Sequence, residues 1–94
     1  KKTLSLNPLY KDAWADLVEY EISIKNYKRA EDYLQNLYYI DENDFRYYYY
    51  KGLIANVSGK VVDARRFLNK SLTLNPNFND AKKLLSEISK GEEL

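Results

Sequence analysis

Residues 69–81 read NKSLTLNPNFNDA and residues 1–13 read KKTLSLNPLYKDA, so one phrase is written twice. The copies lie 68 residues apart, which is twice 34. Thr3 pairs with Ser71, Leu4 with Leu72, Ser5 with Thr73, Leu6-Asn7-Pro8 with Leu74-Asn75-Pro76, and Asp12-Ala13 with Asp80-Ala81. A fixed spacing of this order marks stacked repeats. Each unit is too small to bury its own apolar face, so neighbours supply the core.

Between the copies, apolar residues recur at helical spacing and turn residues cut them into short rods. Asn7-Pro8 opens a helix over about 9–24, with Leu9, Ala13, Trp14, Leu17, Val18 and Ile24 in the i, i+3 and i, i+4 pattern. Lys25-Asn26 breaks it, and Asn is the residue expected to tolerate a left-handed turn. A second helix over about 27–39 carries Ala30, Leu34 and Leu37 on one stripe. Asp41 to Asp44 form a polar connector in which Asn43 or Asp44 can cap the next start. A third helix covers about 45–57 and ends at Ser58-Gly59. A fourth covers about 60–73, burying Val61, Ala64, Leu68 and Leu72. A fifth covers about 78–90, through Ala81, Leu84, Leu85 and Ile88, before a tail at 91–94. The fold class is all-α, with about five helices.

Composition agrees and narrows the function. The 94 residues are 45% hydrophobic and 31% charged, a soluble globular balance with room for a modest core. Three Gly and two Pro favour long helices. A net charge of +1 gives no whole-chain attraction to nucleic acid, and no apolar run is long enough to insert in a membrane. Without Cys or His there is no thiolate site, and the commonest general base and metal ligand are missing. The run Asp41, Glu42, Asp44 reads as a solvated turn and lacks the form of a calcium loop. No catalytic, cofactor or metal residues are assigned, no cofactor is expected, and the chain is read as not an enzyme. It has no Met and starts inside the repeated phrase, so it is expected to be a piece of a longer array. A soluble, cytoplasmic setting is favoured, with the location otherwise open. Charge is uneven: residues 1–44 carry 6 Lys/Arg against 9 Asp/Glu, and residues 45–94 carry 9 against 5.

The pattern resembles the tetratricopeptide repeat, whose signature is W-x2-L-G-x2-Y, then A, x3-F and P. Residues 11–44 give one unit through Trp14, Leu17, Val18, Tyr27, Ala30 and Leu34. Residues 45–78 give a second through Tyr48, Gly52, Gly59, Val61, Ala64, Leu68 and Pro76. Residues 1–10 resemble the end of a preceding unit, and 79–90 a partial or capping one. The chain departs from the family at Val18, Glu21, Lys25, Glu42 and Lys51. The resemblance implies an α-α superhelix of antiparallel helix pairs.

The resemblance also implies a function, namely binding a peptide segment of a partner protein on the concave face. Ten tyrosines are the compositional oddity, centred on Tyr47-Tyr48-Tyr49-Tyr50. Four consecutive helical residues cannot all face one way. The family's register turns Tyr47 and Tyr48 into the packing, and Tyr49 and Tyr50 toward the inner face. Tyr20, Tyr27, Tyr33 and Tyr48 are expected as packing residues. The expected groove comprises Glu19, Arg46, Tyr49, Tyr50, Leu53, Asn56 and Lys83, with Arg46 pairing a ligand carboxylate. The family's carboxylate clamp for chaperone tails is not matched, because Ala15, Glu19, Tyr50, Asp80 and Leu84 stand at its positions. Two alternatives are a spacer segment of a longer array and an accessory domain of an enzyme whose catalytic part lies elsewhere. Self-association through uncovered ends is a further expectation.

Overall fold

The computed structural model describes residues 10–93. Most of the first copy of the repeated phrase, and with it the expected end of a preceding unit, lies outside the described residues, as does Leu94. Five helices follow one another: α1 (Tyr10–Ser23), α2 (Tyr27–Ile40), α3 (Phe45–Val57), α4 (Val61–Leu74) and α5 (Asn79–Glu93). No strand occurs among the described residues. The most extensive contacts are α3 with α4 and α1 with α2; α5 lies on α4, and α3 also touches α2 and α1. The body measures 48 × 27 × 17 Å.

The 34-residue period is physical as well as textual. Between α1 and α2, the Asn26 amide donates to Glu21 O at 2.8 Å; between α3 and α4, Lys60 does the same to Ala55 O at 2.9 Å. After α2, the Asp44 amide donates to Asp41 O at 3.2 Å; after α4, Phe78 donates to Asn75 O at 3.1 Å. Side chains repeat too, since Asp41 Oδ1 accepts from the Asn43 amide and Asn75 Oδ1 from the Asn77 amide. Residues one period apart therefore make the same turns.

Each turn is set by local chemistry. The left-handed residue falls on Lys25 (φ 64°), one place earlier than the Asn expected, and on Gly59 (φ 81°) one period later. Asn26 instead caps α2, accepting from the Arg29 amide. Asp44 caps α3, accepting from the Arg46 amide at 2.9 Å. The tail expected at residue 91 is helix as far as Glu93, because Gly91 keeps a negative φ and no Pro follows to stop it.

Two apolar clusters form the core. One gathers Ala15, Val18, Ala30, Leu34, Leu37, Tyr50 and Ile54 between α1, α2 and α3. The other gathers Ala55, Ala64, Leu68, Ala81 and Ile88 between α3, α4 and α5. Ala30 and Ala64 are fully buried, as expected of small residues where helices approach closely. Ser71 is buried where the previous unit has Leu37, and its hydroxyl donates to Phe45 O at 2.9 Å. That bond offsets the desolvation of the hydroxyl and ties α4 to the start of α3.

Tyr20 departs from the packing role expected of it and is 58% exposed. With Leu17, and with Ile24 in the turn just after α1, it makes an exposed apolar stripe. One and two periods later the Tyr20 position holds Ile54 and Ile88, 5% and 7% exposed. That position is thus covered on α3 and α5 and open on α1 among the described residues.

Candidate functional site

α1, α3 and α5 share a face along which three concavities run into one another. The first, about 230 Å³, is lined by Glu19 and Ile22 of α1, by Phe45, Arg46, Tyr49, Tyr50 and Leu53 of α3, and by Phe78 and Asp80. The second shares Tyr49, Leu53 and Asp80 with it and adds Lys83, Leu84 and Glu87. The third shares Leu84 and Glu87 with the second and reaches Asn56. All seven residues expected from sequence, Glu19, Arg46, Tyr49, Tyr50, Leu53, Asn56 and Lys83, therefore line these adjoining concavities, the last of which also touches Val61 of α4. The helical period explains this. Residues 46, 49, 50, 53 and 56 follow i, i+3, i+4 spacing on α3, and Lys83 follows Asp80 by three on α5.

The aromatic floor is built by stacking. Phe78 packs edge-on against Phe45 and against Tyr49, each at a centroid distance of 4.9 Å, and Tyr49 meets Tyr50 at 5.4 Å. Phe78 and Phe45 were not expected in the site. Phe78 stands one period after the capping Asp44, in a turn between Pro76 and α5; an aromatic in place of a polar cap was the signal available.

The tetrad divides differently from the expectation. Tyr50 is only 8% exposed, packed in the first core cluster, and its hydroxyl donates to Glu19 Oε1 at 3.4 Å. It is a wall of the groove with little of its surface open. Tyr49 is half-buried and presents the more accessible ring. Tyr47 packs against Tyr38 at 5.0 Å and edge-on against Tyr48 at 4.9 Å. The Tyr48 hydroxyl donates to Glu42 O, with Lys70 Nζ lying 5.7 Å from its ring centre.

Arg46 also departs from its expected role. Its Nε and Nη2 donate to Asp44 Oδ1 and Oδ2 at 3.1 and 2.8 Å, a two-point grip, and Nη2 also meets Asp12 Oδ1 at 2.8 Å. Asp44 is buried, where the sequence had suggested a solvated turn, because capping α3 and holding Arg46 draw it inward. The Asp44 hydrogen bond, ahead of the opposing cost of burial, raises the guanidinium pKa above its ordinary value. Arg46 is thus committed to this chain's own carboxylates and joins α1 to the start of α3.

Burial raises the pKa of Tyr50, with the Glu19 charge next. Burial also raises Tyr49, followed by the charges of Asp80, Glu19 and Glu87. Three carboxylates from two helices are therefore felt at one ring. Among the described residues, no three acidic side chains converge in an arrangement that could hold a metal ion. No described helix is long and apolar enough to cross a membrane.

No protein-family model matches the chain, and none of the curated proteins is significantly similar to it.

Proposed function

We propose that the chain is a protein-interaction module, a tetratricopeptide-like segment of stacked antiparallel helix pairs that binds a peptide of a partner protein. The binding face is the groove of α1, α3 and α5. The single observation that carries this reading is the continuity of the groove past all seven side chains that the register had placed on one face. Its elongated form favours a peptide. The three concavities, about 230, 380 and 330 Å³, lie side by side rather than as one enclosed cavity, a shape suited to an extended segment. Tyr49 and Leu53 supply the apolar contact, and aromatic anchors of this kind dominate binding energy at interfaces. The proposal assigns no catalysis to the chain.

The test is affinity capture with the full chain, followed by recovery with Tyr49→Ala/Leu53→Ala and with Tyr39→Ala. Tyr39 lies on α2 and is 77% exposed. A groove ligand is lost with the first variant and retained with the second. Equal recovery by both overturns the assignment.

A second reading, that the chain spaces other parts of a longer array, is favoured by the exposed stripe Leu17, Tyr20 and Ile24. A further helix of the same kind, or another copy of the chain, would cover it. Sedimentation over a range of concentrations, compared with Tyr20→Lys/Ile24→Lys, decides whether the stripe drives association.

A further inference from the structure

The charge of the groove says what kind of peptide it accepts. Glu19, Asp80 and Glu87 line it against Lys83, while Arg46 is outnumbered by its own partners Asp12 and Asp44. The groove is therefore acidic in a chain whose net charge is +1. The carboxylates flank an aromatic surface, with Tyr49 in the shared wall of two concavities and Phe78 packed edge-on against it. An aromatic ring face with carboxylates around it fits a cation, which gains both the ring quadrupole and the opposite charges. An acidic segment meets net repulsion there, since the guanidinium that could have received it is already held.

We propose that the groove binds a peptide segment carrying a lysine or arginine side chain, seated on Tyr49 between Glu19, Asp80 and Glu87. This rests on the groove reading above and adds the chemistry of the partner. The apolar part of such a side chain lies along Leu53 and Tyr49, leaving the charged head at the carboxylates. The charge inference also reverses the polarity expected from sequence, in which Arg46 received a carboxylate.

The experiment is selection from a random displayed peptide library against the immobilised full chain, repeated with Glu19→Gln/Asp80→Asn. Both side chains are exposed, so the double variant is expected to keep its helix content, checked by circular dichroism. The expected result is enrichment of Lys or Arg at one fixed position. The best peptide should lose about fivefold or more in affinity on the double variant, since exposed charge contacts are each worth up to ~1 kcal/mol. Its binding by the unaltered chain should also weaken as salt is raised. Enrichment of acidic or uncharged peptides that still lose affinity with Tyr49→Ala leaves the groove standing and overturns the charge inference. Salt-independent binding does the same. Recovery of no peptide overturns both.

Discussion

Lys25 holds a left-handed backbone (φ 64°) where the equivalent position one period later uses Gly59 (φ 81°). For a residue with a Cβ that conformation costs roughly 1–2 kcal/mol. Lys25→Gly should therefore raise stability by about 1 kcal/mol, less the extra chain entropy glycine brings to the unfolded state. Chemical denaturation checks it, and no gain would mean the turn is unstrained. The tyrosine cluster gives a pH dependence. Burial leads the rise in pKa at Tyr47, Tyr48, Tyr49 and Tyr50. A group whose folded pKa is raised contributes stability that is fully present below its unfolded value, near 10 for tyrosine, and lost as pH climbs through the folded value. Thermal stability should thus hold to about pH 10 and fall beyond it. A tyrosinate absorbance titration should show a late-ionising fraction, with Tyr50→Phe removing part of it. At the acidic end, the Lys11 hydrogen bond is the first cause lowering the Asp41 pKa, so that pair weakens as pH falls through the folded Asp41 value. Both partners are about one-third exposed and 2.9 Å apart, so the effect is within ~1 kcal/mol.

The helices themselves were legible in the sequence to within a few residues, because the apolar spacing and the Lys25-Asn26, Ser58-Gly59 and Asn75-Pro76 breaks are local signals. What was not legible depended on partners far along the chain. Arg46 looked like an available cation until α1 brought Asp12 beside it, and Tyr50 looked accessible until α1 closed over it. Phe78 entered the site because the turn before α5 lies against α3, and its one local sign was an aromatic where the previous unit has the capping Asp44. Two helices approach closely at Gly52. A Cβ there would meet Leu68 Cγ and Cδ2 at 3.0 Å and Ala64 O at 3.3 Å. Leu68 is fully buried and the other neighbour is backbone, so neither yields easily. Overpacking of this kind costs about 1–3 kcal/mol against the ~1 kcal/mol helix preference for Ala. Gly52→Ala should therefore destabilise by about 1 kcal/mol, seen as a lower denaturation midpoint. Val18 occupies the same position one period earlier and is fully buried, so the α1–α2 pair already accommodates what α3–α4 excludes.

At the scale of the whole molecule, the repeat makes a row of helices whose alternate members, α1, α3 and α5, share one face. Neighbour-to-neighbour contacts hold such a stack together, so its surface is large for its core. Among the described residues that surface includes the stripe Leu17, Tyr20 and Ile24 and the groove. The same periodicity also places Tyr49, Leu53 and Asn56 in line, so the proposed binding face is a consequence of helical register. The most direct measurement is an amide NMR titration of the full chain with the best Lys- or Arg-bearing peptide from the library selection. Binding in the groove should shift Glu19, Tyr49, Leu53, Asn56, Asp80 and Lys83 most, with Tyr39 and Lys70 unmoved. Shifts concentrated on α2 and α4, or on Leu17, Tyr20 and Ile24, would contradict it.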